Sequence, residues 1–374
     1  MIQSHQQDSV ALEDRPDNNE ACRQDRVLNH GLSRSVRGLG YLLPSLLLIA
    51  TAIMAGVAIG EIRYSFTTVM QVAGNQLFNM DYPVSQLDTG IIWDYRLTRA
   101  LVAACCGAGL ALSGVVLQSL LRNNLADPYI LGISAGASTG AVLVAVMGLG
   151  AGMVSLSSGA FVGALLAFAV VALLAKGAAQ GTAQYHNGHI VLAGIASCQL
   201  FNALTALVIA KSANSDQARG IMFWLLGNLS GVRWDDVTLA LPMTLAGLIV
   251  CLLYTRPLDA FTFGQESAAA LGIPVRQTQT LLIAAAALMT AAMVAIVGAI
   301  GFVGLVIPHA ARFLVGSQHG RLVPMSALIG AVFLVCADIA SRIIIPGQVL
   351  PIGVITALIG APVFALLLIR GQSK

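Results

Sequence analysis

Gly132-Ile133-Ser134-Ala135-Gly136 matches the G-x-S-x-G pattern letter for letter. In a hydrolase that pattern is a sharp strand-to-helix turn whose serine is activated by His and Asp partners. Here the run opens an apolar stretch with no His nearby to complete a triad, which argues against nucleophilic catalysis. His186 and His189 in YHNGHI have H-x-x-H spacing, but no third ligand candidate adjoins them, so a solvated loop pair is favoured over a metal site. A nucleotide site would need G-x-x-x-x-G-K-[ST], whose backbone N–H groups and lysine hold the phosphates. The chain has three lysines, Lys176, Lys211 and Lys374, and none has that context. If ATP drives this protein, another subunit binds it. The remaining charged pairs suit electrostatics better than catalysis. Arg96 and Arg99 are spaced i, i+3 and share a helical face. Asp338 precedes Arg342 by four residues and can pair with it, which an acidic group inside lipid requires.

The elements that carry these residues are set by composition. Hydrophobic residues make up 57% and charged residues 10%, against about 25% charged in a soluble domain. Mean hydropathy is +0.82. A spanning helix needs roughly 20 apolar residues, and the apolar runs are continuous rather than alternating, which excludes a membrane barrel. The chain therefore reads as an all-α polytopic membrane protein of about ten transmembrane helices. The expected spans are 39–60, 96–117, 129–148, 153–175, 190–210, 237–254, 277–297, 299–311, 322–341 and 349–369. Residues 1–38 are hydrophilic and read as a disordered tail. Of six cysteines, five lie in apolar runs and Cys22 in the tail, with neither disulfide nor zinc spacing.

An even number of spans puts both termini on one side. If that side is the cytoplasm, it holds Arg23, Arg26, Arg34, Arg37, Arg122, Lys176, Arg256, Arg276, Arg312, Arg321, Arg370 and Lys374. The other side holds Arg63, Arg96, Arg99, Lys211, Arg219, Arg233 and Arg342. The cationic excess marks the cytoplasmic side, so both termini are expected inside. Runs such as CCGAGLALSG and GISAGASTGA let helix backbones approach closely in lipid. Gly298, Gly301 and Gly304, followed by Pro308, also permit a broken helix, which a membrane tolerates where protein or a cavity surrounds it.

Three ordered motifs carry a resemblance. RLTRALVAACCGAGLALSGVVLQSLLRNNLADPYILGISAGAS (Arg96–Ser138) resembles the R-L-P-R…S-G-x-x-x-Q…N-P-L-A-x-P…L-G pattern of the FecCD-type permeases. GAIGFVGLVIPHAARFLVG (Gly298–Gly316) resembles their G-x-I-x-F-V-G-L-x-x-P-H-x-x-R signature, and ADIASRIIIPGQVLPIGVITALIGAPVFALLL their last two helices. Thr98 and Asn124 stand where the pattern has proline. The matching positions with a structural part are Gln118, Asn123, Pro128, Gly132, Gly301, Gly304, Pro308, His309 and Arg312.

The resemblance implies a type II ABC importer permease, a subunit that is not itself an enzyme and binds no cofactor. ATP and Mg would be held by two cytoplasmic ATPase subunits. The further partners would be a second permease subunit, identical or paralogous, and a periplasmic substrate-binding protein, in a bacterial inner membrane. The cargo would be an iron chelate, foremost a ferric siderophore, with haem and cobalamin as alternatives. Arg96, Arg99 and Arg342 would be the charges that dock the binding protein, against a reading as snorkelling side chains. The polar stretch at about 256–276 would form coupling helices on the ATPase, through Asp259, Phe261, Phe263, Glu266, Leu271 and Gly272. Its bland alternative is an amphipathic loop on lipid. From the residues themselves, Glu266–Leu271 is a good helix former and Gly272 and Pro274 are stop signals. Gly220–Asp236 resembles a short outer helix, where Phe223, Trp224 and Trp234 anchor at headgroups in preference to contacting substrate. A secondary transporter driven through Asp338 is the other class of function that the composition allows.

Overall fold

The computed structural model describes residues 43–60, 62–148, 155–178, 187–212 and 214–371. The expected tail, 1–38, and His186 lie outside them. Contacts divide the chain after Leu48. In the first unit the described residues are the opening turns of α1 (Leu43–Ala58), which continues into the second.

The second unit continues with α2 (Phe66–Phe78) and α3 (Gln86–Leu121). After a 3-10 turn at Pro128–Leu131 come α4 (Ile133–Met147), α5 (Leu156–Ala178), α6 (Asn187–Ser212) and α7 (Ser215–Leu225). Then follow α8 (Trp234–Leu253), the short α9 (Thr255–Thr262) and α10 (Gln265–Ala270), and α11 (Val275–Val297). The last three are α12 (Val303–Val315), α13 (His319–Ile343) and α14 (Ile352–Gly371). No strand occurs among the described residues. Among the described residues six helices are long and apolar enough to cross a membrane, and α1, α4, α12 and α14 are shorter apolar helices. Together they account for the ten expected spans.

The hub is α3. Its most apolar window is 94% buried, against 33% for α5 and 28% for α6 and α8, whose exposed leucines are what a lipid-facing surface requires. Small residues make this possible. A methyl group on Gly107 would run into the Gly330 carbonyl of α13, and one on Gly114 into the Gly304 carbonyl of α12. Around α3 pack α8, α11, α12 and α13, while α4, α5 and α6 pack on one another.

The boundaries differ from expectation where polar residues hide helix or glycine interrupts it. The second span starts ten residues early, at Gln86, because Ser85 caps it by accepting the Asp88 N–H at 3.0 Å. Its Gly90–Leu97 part is π-helical. No element was expected over α2, whose N-cap Ser65 accepts from the Thr68 N–H. The short helix expected within Gly220–Asp236 is instead α7, capped by Asn214, and residues 226–233 form turns. The eighth span starts at Val303 rather than 299 because Gly298 has φ of 77° and the chain stays non-helical to Phe302, which has φ of 69°.

That break leaves backbone groups without helical partners, which is costly at membrane depth. Tyr129 answers it: its hydroxyl accepts the Ile300 N–H at 2.8 Å and donates to the Ile300 carbonyl at 3.0 Å. The Asn228 N–H donates to the Val297 carbonyl at 2.8 Å, and Ile352 and Gly353 donate to Gly227 and Leu226. The break, the 226–233 turns and the first residues of α14 thus satisfy one another.

Candidate functional site

Two polar clusters sit at opposite ends of α3 and α13. At the first, Arg99 Nε lies 2.5 Å from Asp338 Oδ1, with Arg99 1% and Asp338 0% exposed. Arg99 also donates to Tyr95 Oη and to Ser230 Oγ in the 226–233 turns. Arg342 Nη2 lies 2.9 Å from Asp338 Oδ2. One carboxylate therefore serves two guanidiniums from two helices, and their paired charge offsets the cost of its burial away from water.

The other guanidinium groups of this end finish α1. The last carbonyls of a helix have no intrahelical donors. Arg342 donates to Gly56 O at 2.8 Å and Ile59 O at 3.0 Å, and Arg96 to Val57 O at 3.0 Å and Ile62 O at 2.6 Å. Cations suit a helix C-terminus, where the backbone dipoles leave negative charge. Arg96, Arg99 and Arg342 are thus all buried and engaged inside the chain. Exposed arginines on this side include Arg63, beside Ile62, and Arg233, beside the Ser230 turn.

At the second end, α9 and α10 occupy the polar stretch singled out from the sequence. The 266–271 helix is found at Gln265–Ala270, with Leu271 as its C-cap and Gly272 in the left-handed region that ends it. A further helix, α9, precedes it. Of the six residues expected to meet a partner, Phe263 and Leu271 are 77% and 72% exposed, and Glu266 is exposed too. Phe261 points the other way and is buried with Leu258 against the hub. Asp259 also turns inward. Its Oδ1 accepts the His319 backbone N–H at 2.8 Å and lies 2.7 Å from His319 Nδ1, while Nε2 lies 2.5 Å from Ser119 Oγ. A carboxylate only accepts, so Nδ1–H donates to it and the neutral ring's Nε2 accepts the Ser119 O–H. The connectivity is that of a nucleophilic triad, but Ser119 is buried in the wall of α3.

Beside the second cluster, four signature residues meet. Gln118 Nε2 donates to the carbonyls of Ala126, Gly304 and Leu305, and its Oε1 accepts from Arg312 Nη1 at 2.6 Å. A methyl on Gly304 would crowd Pro128. One amide thereby ties α3, the 122–127 loop and α12. Asn123 accepts the Leu125 N–H in a tight turn, and Gly132, with φ of 72°, closes the 3-10 turn and starts α4. Pro308 is buried inside α12, where His309 rests on the Phe313 ring at 5.1 Å. Gly301 lies in the non-helical segment with open space around its Cα. Ser134 sits in the first turn of α4 and not after a strand, and His189 in the first turn of α6. Trp234 and Trp93 stack with ring centres 5.1 Å apart.

Sequence reasoning did not find Ser119, His319 or Tyr129. A lone His at the head of an apolar span was the available signal for His319; nothing local marks the other two. It paired Asp338 with Arg342 but not with Arg99, 239 residues away.

The FecCD transport family matches residues 46–370, nearly the whole described chain. The chain belongs to the FecCD transport family. It is 42% identical over 295 residues to the cobalamin import system permease protein of Halobacterium salinarum, covering 77% of this chain and 76% of that one. It is 37% identical over 281 residues to the Fe(3+) dicitrate transport system permease protein of Escherichia coli K12, covering 75% and 85%. A solved structure described as an inward-facing conformation of an ABC transporter of metal-chelate type superposes with a TM-score of 0.75 at 30% identity, over 88% of this chain and 99% of that one. This FecCD chain is accordingly a multi-pass permease subunit of an ABC importer, and family membership implies a partner permease, separate ATPases and a substrate-binding protein.

Proposed function

We propose that this permease carries a bulky metal chelate, foremost a ferric siderophore, inward by alternating access. The α9–α10 segment is its contact with the ATPase. The observation that carries this reading is the pairing of exposed Phe263 and Leu271 with a firmly anchored base: two large apolar side chains stand out from a polar segment whose other face is buried. Exposed aromatic and aliphatic anchors on a rigid element are what a subunit interface uses. In this reading the α9–α10 end and both termini are cytoplasmic, in accord with the arginine distribution. The second permease half is another copy of this chain or a paralogue.

The substrate-binding protein docks on the opposite end. Arg96, Arg99 and Arg342 support that surface from beneath by holding α1, α3 and α13 together, and Arg63 and Arg233 supply its exposed charge. Complementary charge there steers encounter and orientation. Reversing Arg99 to glutamate would place a second carboxylate beside Asp338, so that change tests folding before it tests docking. Arg63→Glu with Arg233→Glu tests docking itself.

Cobalamin is the second reading, favoured by the 42% identity to a cobalamin permease. Uptake of labelled ferric siderophores, cobalamin and haem by cells lacking this chain, with and without its return, decides among them. Loss and recovery of siderophore uptake alone supports the first reading. Loss of cobalamin uptake alone replaces it with the second. Unchanged uptake of all three, in cells with no other such permease, refutes both.

A further inference from the structure

We infer that α3 and α13 form one rigid strut, and that Asp259, His319 and Ser119 bolt the coupling segment to its inner end as positioning residues for energy transfer. The inference deepens the reading of α9–α10 as the ATPase contact and rests on it.

Three independent ties hold the two helices together along their length. At one end the buried Arg99–Asp338 ion pair joins them. Near the middle, Gly107 and Gly330 bring backbone against backbone with no room for a methyl on either. At the other end Ser119 of α3 meets His319, the first residue of α13. Interfaces closed by backbone contact do not deform gradually, so a push on one end reaches the other.

The imidazole is placed to receive that push. Its ring joins three elements at once: α9 through Asp259, α13 through its own backbone, and α3 through Ser119. His319 is 1% exposed, so its hydrogen bonds are protected from exchange with water. Asp259 fixes it twice, through ring and backbone N–H. Leu258 and Phe261, on either side of Asp259, are 0% and 1% exposed and seat α9 against the hub. Of the apolar residues that meet a partner, Phe263 directly follows the pinned α9 as its C-cap, and Leu271 lies at the far end of the short α10. A displacement of α10 would reach Arg99 and Asp338 without passing through a flexible linker.

The test uses the full transporter, with permease, ATPase and binding protein together in liposomes, and reads substrate moved per ATP hydrolysed. Asp259 is partly exposed, so Asp259→Asn keeps the fold while weakening its hold on the ring. We expect Asp259→Asn and His319→Gln each to lower the ratio by about fivefold, with normal ATPase stoichiometry and unchanged thermal stability of the complex. The double variant should be no worse than the poorer single one, as expected for two residues acting as a unit. His319→Asn, which keeps an amide N–H near the Nδ1 position, should recover most of the ratio, whereas a merely structural histidine would give no such recovery. Ser119→Ala removes one hydroxyl and should lower the ratio by about twofold. A wild-type ratio in both Asp259→Asn and Ser119→Ala overturns the inference even if His319→Gln fails to assemble. Failure of the wild-type chain to bind any ATPase overturns the reading of α9–α10, and the inference with it.

Discussion

The two ends of α3 and α13 are both polar, yet they handle polarity in opposite ways. At the Arg99–Asp338 end the charges face inward: three arginines and an aspartate are buried and complete one another and the end of α1. At the Asp259–His319 end the hydrogen-bonded pair also faces inward, but Phe263 and Leu271 face out. A charge whose exposure is unknown is therefore poor evidence of a contact surface, because lipid and close packing demand that buried charges be paired. An exposed apolar side chain on a polar segment is better evidence, since nothing within the chain accounts for it.

Four tests probe that contrast, and thermal unfolding in detergent reads them all. Asp338→Ala leaves two buried guanidinium groups without their carboxylate and should cost about 3–5 kcal/mol. Replacing Arg99 and Asp338 together by Met and Leu should cost clearly less than Asp338→Ala alone. The reverse order would mean that the pair does not act as a buried unit. Tyr129→Phe strips the Ile300 N–H and carbonyl of their shared partner and should cost about 1–3 kcal/mol.

The third concerns pH. Burial pushes the Asp127 carboxyl up to about 6, against the pull of its bond from the Tyr129 N–H. A carboxyl raised in the folded state disfavours folding once ionised, so stability should fall as pH rises from about 4 to about 6 and recover on acidification. Asp127→Asn keeps the acceptor and should flatten that slope, a difference of about 3 kcal/mol at neutral pH. An unchanged slope would locate the effect elsewhere. The smallest change in stability is expected for Phe263→Ser with Leu271→Ser, within about 0.5 kcal/mol, although ATPase co-purification should be lost. A large loss of stability there would return both residues to the fold.

Membrane periodicity made the ten spans legible, because roughly 20 apolar residues in a row have few other uses. Helices that begin among polar residues escaped it. Asp88, Asp94 and Arg96 hid the first part of α3, and Thr67, Thr68, Gln71 and Asn75 hid α2. The coupling stretch was legible because its polarity interrupts lipid-facing sequence, and Glu266–Leu271 came within a residue of the helix found. Which side of each residue faces inward was not legible. Phe261 and Phe263 are two apart and alike in type, yet one is buried and the other open. Only the docking of α9 on α3 and α13 separates them. The signature residues were visible as a pattern, but that Gln118 holds Arg312 and Gly304 depends on a fold that brings positions 186 and 194 residues apart into contact.

Twenty residues separate Arg99 from Ser119, and nineteen separate His319 from Asp338. At 1.5 Å per residue both stretches are about 30 Å long, matched to the thickness of the hydrocarbon they cross. Adding or removing a single residue between the ties would turn one end of its helix by about 100° relative to the other. Every loop of this chain can lengthen in evolution without touching that match. Between these four residues, chain length itself is under constraint, independently of which amino acids occupy the positions.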